Sequence, residues 1–218
     1  FEVTGASLSG MRAALDIKGD TKTNVVGWAG DGGTYDIGLQ ALSGAAERET
    51  DCIYVCYDNE AYMNTGVQRS SSTPLGGWTS NTLTKNPESH SKKDIVQIMA
   101  AHRVSYIATL SPAYPNDFLN KVKKAKESKG TRFLLMYSPC PTGWKMESKH
   151  SVSSARLAVE TFVFPLYEIH NGRKYTITYR PQKPKDIEEY FCIQGRFTHL
   201  LLPENKDLLE RIKNEIKE

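Results

Sequence analysis

Up to Tyr137 the apolar residues of the chain keep two alternating rhythms. Asn24 to Ala29 (NVVGWA) and Cys52 to Tyr57 (CIYVCY) are short apolar runs rich in strand formers, one closed by glycines and the other by Asp-Asn. Each reads as a buried strand ending in a turn. Between them Leu39, Leu42, Ala45 and Ala46 recur at helical spacing. Strand, turn, helix, strand, turn is most economically a parallel crossover unit. Ala6, Leu8, Met11, Ala14 and Leu15 predict a helix over residues 5 to 16, ending near Gly19. Ser91-x-x-Asp94 reads as a capping box opening a helix with Ile95, Ile98 and Met99 inward and His102 at its end. Val104 to Thr109 predicts a third strand. Pro115 opens a further helix with Phe118, Leu119 and Val122 inward, and Phe133 to Tyr137 predicts a fourth strand. Such alternation is the pattern of an α/β fold, a doubly wound and mostly parallel sheet.

After residue 150 the rhythm changes. Residues 152 to 163 predict an amphipathic helix. Leu166 to Ile169 and Tyr175 to Tyr179 flank Asn171-Gly172, a hairpin signal. Residues 186 to 192 and 203 to 217 read as helices, the second with Leu208, Leu209, Ile212 and Ile216 on one stripe. The expected organisation is a main domain over residues 1–164 and a C-terminal extension over 165–218. That extension is too poor in apolar residues to fold alone, so it is expected to pack on the core or on a partner subunit.

Composition narrows the classes. The chain has 218 residues, 39% hydrophobic and 24% charged, enough for one good core. A net charge of +3 gives no argument for nucleic acid, and Lys121, Lys123, Lys124 and Lys126 read as the solvated face of a helix. No apolar stretch approaches a membrane span. Phe1-Glu2-Val3-Thr4 lacks the basic and apolar regions of a signal peptide, and without an initiator Met the chain is expected to be a processed, cloned or partial piece. The cysteines Cys52, Cys56, Cys140 and Cys192 match no compact zinc pattern. Cys52 and Cys56 share one face of a predicted strand; they and Cys192 read as buried small residues. Cys140 differs: Pro139 and Pro141 hold it in an extended loop.

The chemistry concentrates in the two turns, at the carboxyl ends of neighbouring strands, where open α/β sheets bind ligands. Gly30, Gly32 and Gly33 are expected to reach positive φ and let the backbone approach a bulky group. The helix start after them offers N–H groups to an anion. Asp31 alone would repel a phosphate, and a hard cation resolves the conflict. Mg²⁺ takes carboxylate, amide and carbonyl oxygens together with phosphate oxygens, and Asn59 supplies a neutral oxygen. A lone Gly-Asp-Gly-Gly is commonly just a tight turn; Asn59 and the Asn64-Thr65-Gly66 that follows set this one apart. In the long polar loop of residues 67 to 90, Arg69 and Ser70 to Ser72 are candidates for contact with a cofactor or a partner chain. His102 reads as serving the dipole of its helix, with a catalytic role as the other possibility.

Gly30-Asp31-Gly32 followed one strand-helix-strand unit later by Asn59 resembles the thiamin diphosphate signature. More closely, GDGGTYDIGLQALSGAAERE and YDNEAYMNTGVQRSSSTP resemble the β subunit of pyruvate:ferredoxin oxidoreductases of the multi-subunit type, in the 2-oxoacid:ferredoxin oxidoreductase family. The resemblance continues through IMAAHRVSYIAT, AYPNDFLNKVKKA, YSPCPTGW and ARLAVET to QGRF, and so spans essentially the whole chain. It implies thiamin diphosphate held through Mg²⁺ by Asp31, the Asn59 side chain and the Ala61 backbone carbonyl. Gly30, Gly32, Gly33 and Thr34 would surround the cofactor, and Asn64 would hydrogen-bond the reacting substrate or cofactor. The implied reaction is oxidative decarboxylation of pyruvate, with electrons passing to ferredoxin and the acetyl group to coenzyme A, in the cytoplasm. The implied partners are α-, γ- and δ-type subunits, the α subunit supplying the carboxylate that activates the aminopyrimidine. Cys140 takes the place of the last of four [4Fe–4S] ligands. The family's other three cysteines lie upstream of the segment seen here, so either that part is separate or the cluster has been lost. AYMNTG is closer to pyruvate and branched-chain 2-oxoacid enzymes than to 2-oxoglutarate ones. A cluster-free thiamin decarboxylase or carboligase, and a non-catalytic Mg²⁺-diphosphate-binding subunit, are the alternatives.

Overall fold

The computed structural model describes residues 2–82 and 87–217; Phe1, residues 83–86 of the long polar loop and Glu218 lie outside the described residues. A six-stranded sheet runs in the order β1-β2-β4-β3-β5-β6. Its strands are β1 (Val26–Gly30), β2 (Cys52–Asp58), β3 (Tyr106–Leu110), β4 (Thr131–Tyr137), β5 (Leu166–His170) and β6 (Lys174–Tyr179). β1, β2, β4 and β3 are mutually parallel, while β5 pairs antiparallel with β3 and β6 with β5. The predicted doubly wound, mostly parallel α/β sheet is what forms. The helices are α1 (Thr4–Ile17), α2 (Leu39–Glu47), α3 (Ile95–Ala101), α4 (Pro115–Glu127), α5 (Ser151–Glu160), α6 (Ile187–Cys192) and α7 (Lys206–Lys217).

Alternation along β2 explains the two layers. Cys52, Tyr54 and Cys56 face the larger core with Leu8, Leu42, Ile107 and Phe133; Ile53 and Val55 face a smaller core beneath α4 with Leu134 and Ala125. α4 covers the centre of its face but not β1, so Val26 and Trp28 stay exposed there. Burial pushes the Cys52 thiol up to about 11 and the Cys56 thiol well above its ordinary value, which leaves both as inert apolar side chains.

Several expectations change. The region after residue 164 is built into the same sheet and core: β5 pairs with β3, and Ile187, Tyr190, Phe191, Phe197, Leu200 and Ile212 lie in the larger core. Burying each such side chain contributes about 2 kcal/mol relative to exposure. Asp94, not Ser91, caps α3, its carboxylate accepting from the Gln97 N–H at 2.9 Å. On α4 the buried stripe runs through Lys121 and Ala125, and Leu119 is exposed. Lys121 is therefore no solvated lysine; its ammonium donates to the Thr109 carbonyl at 2.9 Å and pairs with Asp117 at 2.7 Å. Cys192, expected to be buried, is exposed at the end of α6. Among the described residues no helix is long and apolar enough to cross a membrane.

Candidate cofactor site between two strand ends

The first turn leaves β1 at Gly30 and enters one wide π-helical turn, Gly32–Asp36, that leads into α2. Close approach, not left-handed backbone, is what requires glycine here, and it does so at Gly32. Gly30, Gly32 and Gly33 are all absent from the positive-φ glycines, which corrects that expectation. At Gly32 a Cβ would lie 2.1 Å from the Tyr62 ring, so glycine is required for the second turn to pack on the first. Tyr62 then donates its hydroxyl to Asp36 at 2.8 Å. The Thr34 hydroxyl points inward, donating to the Gly30 carbonyl at 2.7 Å and lying 3.2 Å from the Tyr54 hydroxyl. It fixes the strand end and does not line the pocket. Asp31 is 2% exposed, and its Oδ2 accepts from the buried Ser70 hydroxyl.

The second turn leaves β2 at Asp58, which is wholly buried and densely bonded. It accepts from Lys92 at 2.6 Å, Tyr35 at 2.9 Å, Ser72 at 2.5 Å and the Glu60 N–H at 3.1 Å. One terminal atom of the Asn59 amide lies 2.8 Å from the Ala61 carbonyl oxygen and 3.0 Å from Asp31 Oδ1. A nitrogen there donates to both; an oxygen there makes a cluster of three oxygens that a bound cation would satisfy. The donor set, one carboxylate, one amide and one backbone carbonyl, suits a hard cation that keeps further positions for phosphate and water oxygens.

A cavity of about 310 Å³ opens beside this cluster, lined by Asp31, Gly32, Asn59, Ala61, Tyr62 and Asn64 among others. Asn64 lies exposed at its rim. Burial, and then the neighbouring Asp58 charge, push the Asp31 carboxyl up to about 8. Burial alone would lower the Lys92 ammonium, but Asp58 and Glu60 hold it above its ordinary value. A second cavity, of about 380 Å³, lies under residues 91–96 with mostly apolar walls. Its charged side chains are engaged elsewhere in the chain: Lys92 with Glu60 at 3.2 Å, Lys93 with Asp36 at 3.6 Å, Asp94 as the cap of α3 and Glu215 with Arg211 at 3.2 Å.

The Cys140 loop is pressed onto the second turn: a Cβ on Gly143 would meet Met63 Sδ at 2.1 Å and Cys140 Sγ at 3.4 Å. Cys140 is partly buried there. Ser70 and Ser72 are buried, bonding the turn carboxylates rather than facing outward, and Arg69 pairs with Glu88 at 2.6 Å. His102 lies 3.0 Å from the Ser43 hydroxyl of α2 and does not line the cavity. Sequence reasoning missed Lys92, Trp144 and Arg196, which grip the second turn from distant parts of the chain. Trp144 and Arg196 had as their signal only that PTGW and QGRF fell within the stretches carrying the resemblance; Lys92 had none.

A mostly parallel sheet with a cluster of carboxylate, amide and carbonyl groups at two adjacent strand ends is an α/β domain whose candidate site lies where open sheets of this class bind ligands. Residues 3–136 match the family described as thiamine pyrophosphate enzyme, C-terminal TPP binding domain. The chain is 53% identical over 210 residues to the ketoisovalerate oxidoreductase subunit VorB of Pyrococcus furiosus, covering 92% of this chain and 67% of that one. It is 48% identical over 221 residues to the pyruvate synthase subunit PorB of Methanothermobacter thermautotrophicus, covering 100% of this chain and 76% of that one. The chain belongs to the thiamine pyrophosphate enzyme family and, within it, to the oxidoreductase subunits that include PorB and VorB. Its fold is shared with a 2-oxoglutarate:ferredoxin oxidoreductase from Magnetococcus marinus, at a TM-score of 0.55 and 23% identity over 64% of this chain and 46% of that chain.

Proposed function

We propose that this chain is the thiamin-diphosphate-binding subunit of a 2-oxoacid:ferredoxin oxidoreductase acting on pyruvate in the cytoplasm. In this reading Asp31, the Asn59 amide oxygen and the Ala61 carbonyl hold Mg²⁺, and the cation holds the cofactor's diphosphate. The observation that carries it is that one terminal atom of the Asn59 amide lies within 3.0 Å of both Asp31 Oδ1 and the Ala61 carbonyl at one cavity wall. Thiamin diphosphate supplies the nucleophilic carbon for decarboxylation. The chain's own residues position it: Gly32 and Tyr62 lock the two turns together, and the backbone at Gly30 to Gly33 lines the cavity next to the cation site. Asn64, at the rim, is the residue of this chain assigned to hydrogen-bond the reacting substrate.

Cys140 contributes one thiolate to a [4Fe–4S] cluster in this reading. Four thiolates are needed, and Cys52, Cys56 and Cys192 do not fit: two are buried in β2 and one is exposed on α6. The other ligands must come from outside residues 1–218. Partner subunits, ferredoxin and coenzyme A complete the reaction. The identity to VorB favours a second substrate class, branched-chain 2-oxoacids. Initial rates of ferredoxin reduction by the assembled complex, with pyruvate against 3-methyl-2-oxobutanoate, decide between them. Faster turnover of pyruvate is expected, and no 2-oxoacid-dependent reduction at all would overturn the reading.

A further inference from the structure

Glu60 stands between the two residues assigned to the cation, Asn59 and Ala61, and its backbone is left-handed at φ +66°. For a residue with a Cβ this conformation persists only where the surroundings over-determine it. Here they do. The Glu60 N–H donates to Asp58 Oδ1 at 3.1 Å, and the Glu60 carbonyl accepts from Thr73 at 2.8 Å. The Asn59 carbonyl accepts from the Trp144 indole N–H at 2.8 Å. The Glu60 carboxylate, buried, accepts from Lys92 at 3.2 Å and from Arg196 at 2.6 Å.

Arg196 joins two of these restraints. It is 2% exposed, its Nε donates to Gln194 at 2.9 Å and its Nη2 reaches the Tyr190 hydroxyl at 3.2 Å. Its guanidinium also stacks on Trp144, 3.7 Å from the ring centroid. One buried cation therefore grips the carboxylate after Asn59 and backs the indole that holds the Asn59 carbonyl. Both Trp144 and Arg196 lie beyond residue 136, where the match to the family model ends.

We propose that Arg196 is a positioning residue for the cation site: through Glu60 and Trp144 it sets the backbone of residues 59–61, so that the Asn59 amide and the Ala61 carbonyl converge with Asp31. This inference rests on the proposed cation role of those three groups. The chemistry demands such a device. Mg²⁺ requires near-octahedral geometry, whereas Ca²⁺ accepts a loose and variable one, so a slack turn would still bind a divalent ion but lose its preference for the small one.

The test is metal selectivity in the assembled complex, at saturating thiamin diphosphate, with Mg²⁺ and Ca²⁺ binding each measured by calorimetry. Arg196→Lys keeps the charge but loses the planar stack and fork, and Trp144→Phe keeps the stack but loses the indole N–H. Each is expected to weaken Mg²⁺ binding about tenfold, the scale seen when groups behind metal ligands are changed, while Ca²⁺ binding changes far less. Glu60→Gln combined with Arg196→Lys should lose no more than the worse single variant. An unchanged Mg²⁺-to-Ca²⁺ ratio in both Arg196→Lys and Trp144→Phe would overturn the proposal, as would losses that simply add. If Arg196→Lys does not fold, Trp144→Phe and Glu60→Gln decide alone. A wild-type complex that binds the cofactor without either metal would instead overturn the cation site itself.

Discussion

Asp31 and Asp58 close neighbouring parallel strands, and both are buried. Their surroundings differ in kind. Asp58 accepts from a lysine, a tyrosine, a serine and a backbone N–H, so its charge is fully answered from within the chain. Asp31 accepts from the Ser70 hydroxyl and lies beside an amide that can present it with either nitrogen or oxygen. Two acidic residues on equivalent strand ends thus have separate tasks. One is structural, holding the second turn to the loop of residues 70–73 and to Lys92. The other lines the cavity with Oδ1 beside the Asn59 amide, the position the proposed metal ligand would take.

The sharpest way to break this comparison is to remove each carboxylate in turn. Asp58→Ala should cost roughly 3–5 kcal/mol of stability, because it leaves the Tyr35 and Ser72 hydroxyls and the Glu60 N–H buried without their acceptor and takes from Lys92 one of its two carboxylates, Glu60 remaining. Asp31→Ala should change stability by less than about 1 kcal/mol, since it relieves a buried carboxyl held mainly by one hydroxyl. Denaturant unfolding of the two variants checks both. Next in size is Asn64→Ala, which should lower turnover on the order of 100-fold with little change in cofactor affinity, if Asn64 acts on the reacting centre. Steady-state kinetics beside cofactor titration would show equal losses if Asn64 is only a turn residue. Gly32→Ala should cost about 1–3 kcal/mol through overpacking against the Tyr62 ring, and should loosen cofactor binding by separating the two turns. The smallest effect on cofactor binding belongs to Cys140→Ser. It should leave thiamin diphosphate affinity unchanged while impairing the cluster and ferredoxin reduction in the assembled complex, read by iron analysis and electron paramagnetic resonance. A full cluster signal with normal ferredoxin reduction would make the proline-flanked loop merely structural.

How much of this was legible beforehand follows from the range of the forces. The four parallel strands, the helix after the first turn and the Asn171-Gly172 hairpin are short-range signals. The hairpin turn is left-handed at both residues, φ +52° and +63°, as its sequence predicts. The first turn was legible as a motif because its parts are contiguous. The burial of Lys121 and the exposure of Leu119 were not, since the stripe that α4 buries depends on how the helix sits over the sheet. The grip on the second turn was least legible of all. Lys92, Trp144 and Arg196 reach it across gaps of 34, 85 and 136 residues in sequence, and no local pattern encodes such meetings. Of the first-turn glycines, Gly32 is a site of close approach, and the group that approaches it is Tyr62 of the same chain, which no local pattern announces.

The central claim is that Asp31 is the charged ligand through which a divalent cation holds the cofactor. Calorimetric titration of thiamin diphosphate into the assembled complex, with and without Mg²⁺, tests it most directly when wild type is set beside Asp31→Ala. The account predicts Mg²⁺-dependent binding in the wild type and none measurable in the variant, with the variant's unfolding midpoint retained. Unchanged, metal-dependent affinity in a folded Asp31→Ala would contradict it.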